Sequence, residues 1–188
     1  MNLPSFTVKP GAVALMALMA ATRFHHFGTP FALPDASLAI FFLAGLWLGG
    51  RYLFAGLLLE AGLIDYLAIT QLGVSDFCVS PAYVFLIPAY AAMWLGGSWC
   101  GKQSLSAVSA VYQFAALVVA TSSAFLLSNG SFYLLSGKTA NSWDQYAHGF
   151  AQYYPSYLSA TLLYVVVIFT AVTLIKSLLA AKNTQQTI

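Results

Sequence analysis

The chain reads as an all-α integral membrane protein of six transmembrane helices, and three observations carry that reading. Of its 188 residues 60% are hydrophobic and 6% charged, with a mean hydropathy of +0.80, which is too little polar side chain to cover a water-soluble domain. Charges and turn residues cut the apolar sequence into runs near the roughly 20 residues that a helix needs to cross a bilayer. Lys9, Arg51, Lys102, Lys176 and Lys182, five of the seven Lys and Arg, fall on one side if the N-terminus is cytoplasmic, which is the bias that cytoplasmic loops show. Both termini are therefore expected inside, with 1–188 a single membrane domain.

The first helix is expected over 10–27. No convincing small-residue cleavage site follows it, so it is read as a retained helix rather than a signal peptide. The second, 35–48, opens with Asp35 as N-cap and stops at Gly49-Gly50. At about 21 Å it is shorter than the hydrocarbon core of about 30 Å. Its outer end is expected below the membrane surface, where irregular backbone is tolerated only if it lines a cavity or packs in protein. The preceding segment Gly28-Thr-Pro-Phe-Ala-Leu-Pro34 is thus expected to wall an outward-facing pocket. Helices over 52–72, 82–99, 105–127 and 156–179 complete the set, with an external loop over 128–155 long enough to act as a lid.

Pro34 and Pro81 start the second and fourth helices, and Trp-Leu-Gly-Gly ends both, at Trp47–Gly50 and Trp94–Gly97, each pair 47 residues apart. Two readings stand. Proline at the start and glycine past the end is ordinary helix punctuation, and a duplicated helical hairpin is the kind of repeat found in transporters.

Chemistry is expected to collect on the outer face. The topology puts Asp35, Asp76, Asp144, His25, His26 and His148 there, with Arg23 and Lys138 the two external basic residues. Glu60 and Asp65 lie within the third helix, where a carboxylate is costly and marks a functional hypothesis. Five residues apart, they share no helix face well. Asp65 lies near enough to the outer pocket to touch a ligand, whereas Glu60 suits a neutral or hydrogen-bonded packing role. The lid mixes Asn129, Asn141, Gln145, His148 and Gln152 with Trp143, Tyr146, Tyr153 and Tyr154, which suits a bulky amphipathic ligand or interfacial anchoring.

Several chemistries are disfavoured. His25-His26 diverge by about 100° on a helix and cannot share a metal unless the helix has ended, and there is no HExxH. In the phosphate-loop pattern GxxxxGK[ST], Ser136-Gly137-Lys138-Thr139 would be the tail, but the first glycine falls on Phe132. Cys78 and Cys100 flank the fourth helix, about 30 Å apart, too far for a disulfide within the chain. No CxxC is present for thiol exchange. Few basic residues and no soluble basic patch exclude nucleic acid as a partner. Cys78, in the outer segment Ser75-Asp76-Phe77-Cys78-Val79-Ser80-Pro81, is open to two readings: a small packing residue or a soft ligand for a transition metal.

Six helices in under 200 residues, the short second helix behind "GTPFALPDASLAIFFLAGLW", and the outer "DFCVSPAYVFLIPAYAAMWLGG" resemble the BtuM family. Its members are cobalamin-specific solitary S-components of energy-coupling factor (ECF) transporters. The resemblance spans essentially the whole chain. It implies an S-component bundle in a bacterial inner membrane that captures vitamin B12 at its outer face. It also implies that Cys78 is an axial ligand to the cobalt of cobalamin, able to displace cyanide from cyanocobalamin, with Asp65 and Tyr83 orienting the thiol or taking its proton. Phe77, Pro34, His148 and Tyr153 complete the implied binding set. An ECF module, a transmembrane coupling protein with two ATPases, is the implied partner, docking on Ala14, Ala17 and Ala21, although such a stripe equally suits generic helix packing. No bound nucleotide is expected. Alternatives are an S-component for another vitamin or a metal ion with Cys78 incidental, and, with less to support it, an intramembrane enzyme of lipid or quinone chemistry.

Overall fold

The computed structural model describes residues 9–24, 33–77, 79–104, 106–137 and 142–185. Among these the secondary structure is all helical, joined by turns and without strands: α1 Pro10–Arg23, α2 Ser37–Trp47, α3 Arg51–Leu72, a 3₁₀ turn Pro81–Phe85 leading into α4 Leu86–Cys100, α5 Ala107–Leu135 and α6 Trp143–Gln185. Helices α3, α5 and α6 are long and apolar enough to cross a membrane, while α1 and α2 are shorter apolar helices.

α1 starts on Pro10 at its first position, where the missing N–H leaves no partner wanting. It buries Ala12, Leu15, Met19, Thr22 and Arg23, a stripe at helical spacing. α2 is buried at every position from Ser37 to Gly45, as expected of a helix apolar all round. The remaining elements are arranged around it. Gly49 and Gly50 end it with φ of 63° and 92°, values a side chain rarely adopts, and α3 begins immediately after. α3 inserts only one stripe, Leu57, Ala61, Ile64 and Ala68, and turns Leu59, Leu63 and Tyr66 outward.

α2 lies backbone to backbone on α4. A methyl group built at Gly97 would collide with the Phe42 carbonyl, one at Gly45 with the Trp94 carbonyl, and one at Gly101 with the Leu46 carbonyl. Small residues permit such close approach where burial from water offers little drive between helices. The two Trp-Leu-Gly-Gly segments therefore do different jobs. Gly49-Gly50 stop α2, whereas Gly96-Gly97 lie inside α4 and make its contact surface, so the punctuation reading holds for the first copy alone.

The expected loop over 128–155 is replaced by helix. α5 runs on to Leu135 and α6 begins at Trp143, leaving a connection of residues 136–142. The polar residues that suggested a loop are absorbed locally. Ser128 and Ser131 hydroxyls donate to the carbonyls of Phe125 and Ser128 at 3.3 and 3.0 Å, and the Ser142 hydroxyl accepts the Gln145 N–H at the start of α6. An aromatic ladder then joins the two helices, with Phe125 edge-on to Phe150, Tyr154 and Tyr157 at 5.3, 5.3 and 5.0 Å. α6 carries Pro155 within its length.

The α2–α4 contact yields a stability prediction. Gly97→Ala should lower stability by about 1–3 kcal/mol, the range for overpacking a tight contact. Gly62→Ala, where the added methyl meets nothing within 4 Å, should be neutral or slightly stabilising. Thermal unfolding of both variants in detergent compares them, and equal melting temperatures would contradict backbone contact at Gly97.

Candidate functional site

Where α1 ends, a charged side chain enters the interior. Arg23 is 7% exposed, and a buried guanidinium persists only if its charge is paired and its protons are taken. Its Nε and Nη2 donate to the two Asp65 oxygens at 2.7 and 2.6 Å, the two-pronged geometry that guanidinium and carboxylate share. Nη1 reaches Tyr90 Oη at 2.7 Å, Ser37 Oγ at 2.9 Å and Asp35 Oδ2 at 3.2 Å. Two protons serve three acceptors there, so the longest contact is a shared one.

The carboxylates are held in turn. Asp35 Oδ1 accepts from the Ser37 N–H at 2.9 Å and the Ser37 hydroxyl at 2.6 Å. The N-cap of α2 is Ala36 rather than the expected Asp35, which holds Ser37 from one position further out and in addition contacts Arg23. Asp65 Oδ2 also accepts the Tyr83 phenol at 2.5 Å. One cluster therefore ties α1, the entry to α2, α3, the 3₁₀ turn and α4. With both carboxylates ionised it carries one net negative charge. Over it opens a cleft of about 20 Å³ lined by Arg23, Asp65, Ala68, Ile69, Val74, Ser75, Val79 and Tyr83, room for about one water.

The expected site residues divide. Asp65 and Tyr83 are joined directly by the hydrogen bond above. Cys78, His25 and His26 lie outside the described residues, although Val79, next to Cys78, lines the cleft. Phe77 is exposed and packs its ring on Phe132 at 5.6 Å. Pro34 is exposed, and its carbonyl accepts the Tyr164 hydroxyl at 2.8 Å. His148 and Tyr153 sit exposed on α6 rather than on a lid, and neither lines the cleft. Ala14, Ala17 and Ala21 are exposed on α1. Glu60 keeps Oε2 buried without a hydrogen-bond partner. Cys100 is buried at the end of α4, its thiol 3.9 Å from the Gln113 carbonyl oxygen.

Arg23, counted from the sequence only as one of two external basic residues at the end of the first helix, is the site residue that sequence reasoning did not single out. Ser37 and Tyr90 were not singled out either. The available signal was an arginine still within an apolar helical run, in a chain whose third helix holds an unpaired carboxylate. Among the described residues no group of three or more metal-ligating side chains occurs.

Fold and site together define a helical protein with apolar membrane-length helices and a recessed ionic cluster. No protein-family model and no curated protein matches the chain.

The Tyr83 contact should show in stability. Tyr83→Phe removes a hydrogen bond to a charged acceptor, expected to lower unfolding free energy by about 1.5–3 kcal/mol. Tyr66→Phe, on a side chain 63% exposed, should change it by less than about 0.5 kcal/mol. Unfolding in detergent with both variants decides, and equal small effects would show that the Tyr83–Asp65 bond contributes nothing.

Proposed function

We propose that this protein is a six-span, substrate-capturing membrane subunit for cobalamin, of the S-component kind that the BtuM-like segments suggest. The observation that carries the reading is the cleft. Its rim includes Val74, Ser75 and Val79 of the Cys78 segment, and its base is the fixed Asp65, Tyr83 and Arg23 cluster.

The helix lengths agree with a pocket sunk into the outer leaflet. With the N-terminus inside, α1 rises about 21 Å from Pro10 against a core of about 30 Å. Arg23 then ends roughly 9 Å below the outer edge. A charged cluster at that depth is tolerated because it faces the bundle and a wet cleft rather than lipid. The 3₁₀ turn and α4 together extend about 32 Å, enough for a span. The exposed Ala14, Ala17 and Ala21 face of α1 is free to receive an ECF module.

A cleft of about 20 Å³ is far below the roughly 300–1,000 Å³ of small-molecule sites. Capture of a corrin therefore requires Val74, Ser75 and Val79 to move away from the Arg23 cluster. In this arrangement Cys78 supplies a soft thiolate to cobalt. Asp65, held by two guanidinium bonds and a phenol, orients Tyr83 and anchors the pocket floor.

The visible absorption spectrum of purified protein incubated with cyanocobalamin tests the reading. Wild type should bind and shift the cobalt bands with loss of cyanide, and Cys78→Ser should abolish the shift. Binding with an unshifted spectrum would remove the thiol–cobalt bond from the account. Failure of wild type to bind would overturn the cobalamin assignment itself.

A further inference from the structure

A second cavity lies where α5 finishes and α6 begins, on the side where Phe77 packs on Phe132. It measures about 310 Å³ and is lined by Gly130, Tyr133, Leu134, Ser142, Trp143 and Tyr146. Three of these six are aromatic, and their rings are steeply inclined. Tyr133 and Tyr146 have centroids 5.0 Å apart at 55°, and Trp143 and Tyr146 lie 6.2 Å apart at 80°. Parallel walls suit a flat ring, because stacking needs coplanar faces. Rings inclined to one another, here by 55° and 80°, suit a convex guest that meets more than one π face, as in the recognition of a methylated ammonium.

The charge of the described residues around it favours a cation as well. Tyr133 and Leu134 stand in the last turn of α5, where helix dipoles sum to roughly half a negative charge. Asp144 is exposed in the first turn of α6. The positive end of α6 is partly satisfied by Ser142, whose hydroxyl and carbonyl accept the N–H groups of Gln145 and Tyr146. The Tyr133 hydroxyl donates to the Ser142 carbonyl, which fixes one wall against the other helix. No Lys or Arg is among the described residues lining the cavity.

We infer that Tyr133, Trp143 and Tyr146 form an aromatic cage for a quaternary ammonium group, supplied either by a free solute such as choline or by a choline lipid headgroup. The inference does not rest on the cobalamin reading, since this cavity shares no lining residue with the Arg23 cleft. Interfacial aromatics that merely anchor the helix pair to the bilayer would need neither a cavity nor mutually inclined rings.

Equilibrium dialysis of radiolabelled choline against the protein, reconstituted separately in phosphatidylethanolamine and phosphatidylcholine nanodiscs, provides the test. Saturable binding in the phosphatidylethanolamine discs is expected, at least about tenfold tighter than that of the neutral isostere dimethylbutanol. Trp143 is 84% exposed, so Trp143→Ala should leave the fold intact and weaken choline binding about tenfold. Tyr146→Leu should weaken it similarly, with melting temperature monitored to separate loss of cage from loss of fold. Binding retained in phosphatidylcholine discs identifies a free solute as the guest, and binding blocked there identifies the lipid headgroup. Equal affinity for the isostere, no saturable binding in phosphatidylethanolamine discs, or an unchanged Trp143→Ala protein would each overturn the cage.

Discussion

Arg23 brings a full positive charge into the protein at the end of a short apolar helix, and the segments that meet there are organised around it. The guanidinium cannot lose its proton, so burial is tolerable only while Asp65 and Asp35 stay close and their remaining oxygens are occupied. Each requirement recruits another element. Asp65 comes from α3, Asp35 and Ser37 from the entry to α2, Tyr83 from the 3₁₀ turn, and Tyr90 from α4. Neutralising a buried charge in this way adds little net stability over an apolar core, while leaving it half satisfied is severely unfavourable. The cluster therefore acts chiefly to specify how five segments meet.

That specification relies on close packing beneath. α2 can stand at the centre of the molecule because Gly45, Gly97 and Gly101 let α4 approach it to backbone contact. The stacked rings of Phe41 and Tyr90, 4.2 Å apart and 10° from parallel, then lock the same pair from the side. Tyr90 belongs to both layers. Its ring packs on α2 while its hydroxyl accepts from Arg23, so apolar contact and ionic cluster are mechanically one unit.

Much of the architecture was legible in the residues, for identifiable reasons. Helical character, the brevity of α2 and the pairing of Pro81 with the start of the fourth helical element follow from hydropathy and from proline and glycine chemistry. Asp65 stood out because a carboxylate inside an apolar run needs a reason. Arg23 did not, because a basic residue near a helix end is ordinarily a loop charge and nothing local distinguishes one that turns inward. The lid failed for a related cause. Serine, asparagine and tyrosine between 128 and 155 look like loop composition, but in a helix the serines bond back to their own backbone and the aromatics pair across helices. Gly96-Gly97 were misread as an end because a glycine that terminates a helix and one that admits a neighbouring backbone are identical in sequence.

A double-mutant cycle on Arg23 and Asp65, read by reversible unfolding in detergent, tests the central role of the buried ion pair most directly. Arg23→Met alone should destabilise by about 3–5 kcal/mol, since it strands two carboxylates. Adding Asp65→Leu should recover part of that loss, giving a coupling of about 2 kcal/mol or more. Additivity within about 0.5 kcal/mol, as expected of independent sites, would mean that the two side chains do not interact in the folded protein and that the five segments are brought together by something else.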